Sequence, residues 1–233
     1  MAERTWFVIA AAGASRRFGG PVPKPYLRVA GRSLLEHALR ALRQLPGIAG
    51  GVVVTAPGDR RWQRLPKTVR LGVVTAPGGP TRAISVLNGL NALVTAAPED
   101  WVLVHDAARP CVPRADLLAL VAECRRDAVG GLLAVPLADT LKQADEDGRS
   151  QRSLPRERLW RAQTPQMFRH GRLIRAFSQS LSEGFDATDE AAAIECLGLR
   201  PRLVEGSPLN IKVTRPADLA LVQAALRSMR GSR

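Results

Sequence analysis

The stretch VIAAAGASRRFGGPVPKPYL, residues 8–27, opens as a strand and then breaks into a run of small residues. It goes on to set Arg16, Arg17 and Lys24 among glycines and prolines. Small residues directly after an apolar strand let the backbone approach a ligand closely, and their amides can hold anions. Arg17 adds a planar fork suited to phosphate oxygens, and Lys24 a compact point charge. Pro23 and Pro25 flank that lysine and restrict its backbone. The loop is neither a P-loop, since no GK[ST] follows, nor a dinucleotide fingerprint, which needs GxGxxG entering a helix. By itself it reads as an anion-holding loop or as a basic surface loop.

Working outward, short apolar runs alternate with helical patterns. Residues 6–11, 51–55, 69–74, 101–105 and 131–135 have the valine- and leucine-rich character of buried strands. Residues 33–45, 81–97 and 115–126 place apolar side chains at helical spacing, as do 172–182 and 188–197. Residues 209–214 read as a last short strand and 216–229 as a closing helix. Strands separated by helices predict an α/β fold: one Rossmann-like domain over residues 1–233, with a mostly parallel sheet and helices on both faces. Ligands on such sheets bind at the carboxyl ends of the strands, where the opening loop sits. Residues 138–161 break the pattern. They are polar, with a turn signal at Asp145–Gly148, and read as a hairpin projecting from the sheet. No repeat and no linker marks a second domain.

Composition excludes several classes. The 233 residues are 45% hydrophobic and 24% charged, ordinary for a globular protein. No uncharged apolar run approaches the roughly 20 residues a bilayer span needs. Residues 6–14 resemble a short signal core, but Arg16 and Arg17 follow at once and cleavage would remove the first strand. Three cysteines without CxxC spacing offer neither a disulfide framework nor a zinc site, so the cytoplasm is expected. The net charge of +13 invites nucleic acid, yet the cations are spread along the chain with acids among them. Aromatic residues at 4% leave few stacking platforms, so nucleic acid is not the expected partner. Of the 34 cations only Lys24, Lys67, Lys142 and Lys212 are lysines, which makes each lysine worth following.

Three further loops carry chemistry. APGGPTRAISVLNGL, residues 76–90, sets Gly78 and Gly79, which by themselves read as a turn, between strand and helix; Arg82 and Ser85 fall in the first helical turn, where free amides favour an anion or a polar base edge. VHDAARPCVP, residues 104–113, puts Asp106 directly after a strand, beside Arg109. There it could hold magnesium or ligand hydroxyls, or pair with the arginine. NIKVTRPAD, residues 210–218, places Lys212 between Ile211 and Val213, where alternation points it either to solvent or to buried chemistry.

Together with LWRAQTPQ (159–166) and TDEA (188–191), these loops closely resemble the 2-C-methyl-D-erythritol 4-phosphate cytidylyltransferase family from residue 8 to residue 221. Within that span HDAARP and NIKVTRP are the specific motifs. The family usually has Gly where Ser15 stands and Gln where Pro25 stands; neither change removes a charge. The resemblance implies a homodimer that joins CTP to 2-C-methyl-D-erythritol 4-phosphate and releases pyrophosphate, in the non-mevalonate isoprenoid route. It implies that Ala11, Ala12, Gly13, Gly79 and Ser85 cradle the CTP and that Arg17 and Lys24 stabilise its α-phosphate. Asp106 and Arg109 would bind the methylerythritol, with Thr164 and Lys212 near its phosphate. Magnesium would bridge the nucleotide phosphates, with Asp106 a candidate ligand. Thr140 and Arg156, on the 138–161 hairpin arm, would reach into the partner's site. The alternatives are another polyol-phosphate cytidylyltransferase, such as one using ribitol 5-phosphate, and a non-catalytic nucleotide- or nucleic-acid-binding protein.

Overall fold

A computed structural model describes residues 3–13, 18 and 21–231. In chain order the elements are β1 (Thr5–Ala10), β2 (Arg28–Val29), β3 (Arg32–Ser33), α1 (Leu34–Leu42), β4 (Ile48–Thr55), α2 (Lys67–Arg70), β5 (Val73–Pro77) and α3 (Arg82–Asn91). There follow β6 (Trp101–Asp106), α4 (Arg114–Arg126), β7 (Gly130–Pro136), β8 (Leu141–Ala144), β9 (Ser150–Leu154) and β10 (Trp160–Arg169). The chain closes with α5 (His170–Ser182), α6 (Glu190–Cys196), β11 (Arg202–Glu205) and α7 (Asp218–Gly231).

Seven strands form one sheet in the order β11-β7-β10-β6-β1-β4-β5, and only β10 runs antiparallel to its neighbours. The alternation of β1 explains the layers, because successive strand residues face opposite sides. Phe7, Ile9 and Ala11 pack with α1 and α4, while Trp6 and Val8 pack with α3, α5 and α6. A third cluster joins α7 to β2 and the first turn of α1 through Val29, Leu34, Val222 and Leu226. At Gly51 of β4 a Cβ would lie 2.3 Å from the Phe7 ring, so the ring lies flat on the backbone where glycine stands.

From β1 the chain winds to β4 and β5 on one side, then returns to lay β6 on the other. The winding therefore reverses at β1 and β6, whose last residues, Ala10 and Asp106, are register partners. A crevice opens outside strand ends at such a reversal.

Three expectations about elements change. The 69–74 run is split: Val69 ends up buried in α2, and the strand begins at Val73 after a turn at Gly72. Residues 209–214 are irregular and pair with no strand among the described residues. Instead Val213 N–H bonds to the Ala108 carbonyl, and the Asp218 carboxylate accepts from Thr214 N, Thr214 Oγ1 and Arg215 N at 2.7–2.8 Å. Two strands of the seven-stranded sheet, β10 and β11, have no counterpart in the sequence pattern, and neither do the two-residue strands β2 and β3. In β10 the register with β7 advances from Ala162↔Ala134 to Gln166↔Leu132, so Gln163, Thr164 and Pro165 bulge out of the ladder.

Candidate active site

The crevice at the winding reversal is a cavity of about 470 Å³ lined by Ala11, Ala12, Gly13, Lys24, Gly79, Arg82, Ser85, Asp106 and Lys212, among others. Its shape depends on close contact between two loops. A Cβ at Gly78 would lie 2.2 Å from the Ala12 Cβ, and one at Gly79 2.2 Å from the Ile84 side chain. The Gly-Gly pair is thus more than a turn: it lets the β5–α3 loop lie against the β1 loop. Ser85 fixes that loop, accepting from Gly79 N–H at 3.0 Å and donating to the Thr81 carbonyl at 2.8 Å. Its hydroxyl proton is therefore committed, although the oxygen retains accepting capacity. Thr81 caps α3 by accepting from Ile84 N–H.

Lys24 begins a single 3₁₀ turn, Lys24–Tyr26, and its Nζ donates to the Val213 carbonyl at 3.2 Å. That bond ties the first loop to the segment carrying Lys212. Lys212 Nζ in turn meets Asp106 Oδ2 at 2.7 Å. The other Asp106 oxygen, Oδ1, accepts from Arg82 Nη2 at 3.3 Å and Nε at 3.4 Å. Burial by itself would raise the Asp106 carboxyl, but Arg82 and then Lys212 outweigh it and hold the group well below the usual carboxylate range. Asp106 therefore stays ionised across the physiological range.

Behind Asp106 runs a chain of buried hydrogen bonds built on the β10 bulge. Asp106 N–H donates to Thr164 Oγ1 at 3.0 Å, and Thr164 Oγ1 lies 2.9 Å from His105 Nδ1. His105 Nε2 lies 3.0 Å from the Arg109 carbonyl. A carbonyl only accepts, so Nε2 carries the proton and Nδ1 accepts from the Thr164 hydroxyl. Burial pushes the His105 imidazole down to about 4, in keeping with that neutral tautomer. Arg109 donates to the Asn210 carbonyl at 2.7 Å and the Ala162 carbonyl at 3.3 Å, while its buried Nε has no partner among the described residues. Asn210 Nδ2 completes the link to the bulge, donating to the Thr164 carbonyl at 2.8 Å.

Of the residues singled out in the sequence, Ala11, Ala12, Gly13, Lys24, Gly79, Ser85, Asp106 and Lys212 line one cavity. Thr164 and Arg109 adjoin it through the bonds just described. Arg17 lies outside the described residues. Thr140 and Arg156 do not line it: they flank the β8–β9 hairpin, both are exposed, and Arg156 donates to the Ala138 carbonyl. Two residues of the network were missed as functional groups. Arg82 was placed in a helical turn without a role, and Glu190, inside TDEA, was not assigned one. In the structure Glu190 accepts from Arg82 at 2.8 and 3.3 Å. The signal was weak because the two lie 108 residues apart in sequence.

A reversal-point cavity with glycine loops on one side and paired cations on the other has the architecture of a nucleotidyltransferase. The sequence profile of 2-C-methyl-D-erythritol 4-phosphate cytidylyltransferase matches residues 5–228, and the chain belongs to that family. A curated relative of that name from Xanthomonas campestris pv. campestris (strain 8004) is 52% identical over 94% of this chain and 83% of its own length. One from Stenotrophomonas maltophilia (strain R551-3) is 50% identical over 94% and 95%. The crystal structure of the Francisella tularensis 2-C-methyl-D-erythritol 4-phosphate cytidylyltransferase superposes with a TM-score of 0.83, at 33% identity over 96% of this chain and all of that one. Among the described residues no helix is long and apolar enough to cross a membrane.

Proposed function

We propose that this protein transfers CMP from CTP to 2-C-methyl-D-erythritol 4-phosphate in isoprenoid biosynthesis. The observation that carries the reading is the meeting of Lys24, Asp106 and Lys212 in one cavity, within a chain matched by the family along nearly its whole length. A phosphate oxygen of the acceptor attacks the α-phosphorus of CTP. The new P–O bond forms as the α–β bridging P–O bond breaks, and pyrophosphate leaves with the bonding electrons. The attacking group is already an oxyanion, so no general base is needed. The protein's task is to align two anions and offset their repulsion.

In this reading Ala11, Ala12, Gly13, Gly79 and Ser85 hold the nucleotide, and Lys24 with Arg17 takes the charge that develops on the α-phosphate. Asp106 and Arg109 hold the polyol, with Lys212 toward its phosphate. Thr164 acts from behind, holding the Asp106 backbone. The arm, residues 138–161, joins two copies in a homodimer and brings Thr140 and Arg156 to the other copy's cavity. A divalent cation such as magnesium would neutralise phosphate charge. The described residues gather no cluster of three His, Cys, Asp or Glu to hold one. Both Asp106 oxygens already face cations, which argues against Asp106 as its ligand. We assign the ion to the phosphates of the nucleotide. The three cysteines are free thiols, in keeping with a cytoplasmic protein.

The test is pyrophosphate release over four nucleoside triphosphates and several polyol phosphates. CTP with 2-C-methyl-D-erythritol 4-phosphate is expected to be fastest. Faster turnover with ribitol 5-phosphate overturns the acceptor and leaves the reaction class standing.

A further inference from the structure

Glu190 is fully buried and does not line the cavity. Both its oxygens nevertheless accept from one guanidinium that does: Arg82 Nη1 reaches Oε1 at 2.8 Å and Nη2 reaches Oε2 at 3.3 Å. The same Arg82 donates through Nε and Nη2 to Asp106 Oδ1, and Asp106 Oδ2 receives Lys212. Four charges of alternating sign therefore run from the start of α6 to the cavity wall: Glu190, Arg82, Asp106, Lys212. The far end is anchored to the sheet by Gln166 of β10. Its Nε2 donates to Asp189 Oδ2 at 3.0 Å, and its Oε1 accepts from Ala191 N–H at 2.7 Å.

A guanidinium bound only to Asp106 Oδ1 could pivot about that single oxygen. Glu190 grips the adjacent Nη1–Nη2 edge of the plane and removes the freedom, because a bidentate fork fixes orientation as well as distance. Asp106 is then held at Oδ1 by Arg82 and at its backbone by Thr164, so Oδ2 is left facing Lys212. Buried ion pairs often add little stability, and orientation is a better reason for a carboxylate so far from solvent.

We propose that Glu190 is a positioning residue for the acceptor half of the reaction, setting the Asp106 carboxylate through Arg82. The inference rests on the reading of Asp106 as the polyol-binding group. In the proposed function the nucleotide is held by the β1 and β5–α3 loops, and among the described residues the bonds of the Glu190 carboxylate go to Arg82, at the start of α3.

The experiment is a double-mutant cycle of Glu190→Gln and Asp106→Asn, with acceptor kinetics at saturating CTP and CTP binding by calorimetry without acceptor. Glu190→Gln is expected to lower kcat/KM for the acceptor about tenfold to a hundredfold, the scale of a displaced catalytic contact. The Kd for CTP should stay within about twofold, and the substitution should cost no more than about twofold when Asp106 is already Asn. Effects that multiply in the double variant, or a CTP Kd that worsens in step with acceptor kinetics, overturn the proposal. If Glu190→Gln does not fold, Glu190→Asp takes its place in the same cycle, keeping the charge and shortening its reach to Arg82. The cycle uses whichever polyol phosphate the wild type turns over fastest. A wrong acceptor then shows in the wild type, and a wrong role for Glu190 shows only in the cycle.

Discussion

The cavity at the ends of β1 and β6 and the arm at residues 138–161 both carry cations, but they support them differently. In the cavity each described cation is held by a residue distant in sequence: Arg82 by Glu190, Lys212 by Asp106, and Lys24 by the Val213 carbonyl. On the arm, Lys142 bonds Ser153, Arg152 bonds Gln143 and Arg156 bonds the Ala138 carbonyl, all in the open. Between residues 138 and 161 only Leu141 and Leu154, register partners, are even partly covered. The cavity's geometry is therefore fixed within one chain. The arm has almost no apolar cover, and in the proposed homodimer the other copy would supply it.

The largest expected effect tests the first half of that contrast. Lys24→Ala should lower kcat by ~10²–10³ while CTP binding weakens much less, since a cation on the α-phosphate meets more charge in the transition state. Steady-state kinetics with CTP varied decide it. A rise in KM alone makes Lys24 a uniform binder, held in place for affinity rather than for the reaction.

The arm half is tested by mixing. Homodimers of Lys24→Ala and of Arg156→Ala should each be nearly inactive. After subunit exchange, up to about one quarter of wild-type activity should return, because half of the random dimers are mixed and each then has one intact site. If the arm served its own chain, every mixed site would carry one lesion and nothing would return. A silent mixture, with exchange shown by mass or fluorescence, breaks the shared-site half of the comparison.

These contrasts also mark what the sequence could reveal. The β1 and β6 loops were legible because each follows a short apolar strand, where a break into glycine or a carboxylate stands out. The Gly78–Gly79 pair was legible as a turn, yet its close approach to Ala12 belongs to tertiary packing. β10 was hidden because its polar residues and Pro165, which has no N–H to give a ladder, argue against an interior strand. Its bulge, which presents Thr164 to Asp106 and His105, was hidden with it. Residues 209–214 look like a strand because Leu209, Ile211 and Val213 alternate, but Asp218 and Ala108 hold them as a loop. Arg82 and Glu190 carry no local signal of each other.

A smaller effect concerns the interior bonds themselves. His105 is neutral in the folded protein, pushed down to about 4 by burial, whereas an unfolded histidine titrates near 6.5. The unfolded state therefore binds more protons between those values, and stability should fall as pH drops from about 6.5 toward 4. The contribution is on the order of 3 kcal/mol. Glu190 acts the other way, since burial raises its carboxyl and the folded state takes up that proton first. The clean measurement is thus a difference: denaturant melts of wild type and His105→Gln across this range, with the shallower dependence in the variant. Equal slopes would remove His105 from the account of the interior chain.

The smallest effect is the sharpest test of what separates the two regions. Lysine is rare in this chain, and Lys24 and Lys212 both line the cavity. Lys142 shares that rarity but not the setting: it is exposed on β8, with a hydrogen bond to Ser153 across the hairpin. Such a surface contact contributes little, because both groups are well solvated without it. Lys142→Ala is therefore expected to change kcat/KM by less than about twofold and stability by no more than about 0.5 kcal/mol. If instead its kinetic cost approached that of Lys24→Ala, the basic face of the arm beyond Arg156 would be meeting an anion. The line between the two regions would then be one of chain, not of function. Measuring both variants at two salt concentrations separates these cases, because a loose surface attraction fades with added salt while a buried contact persists.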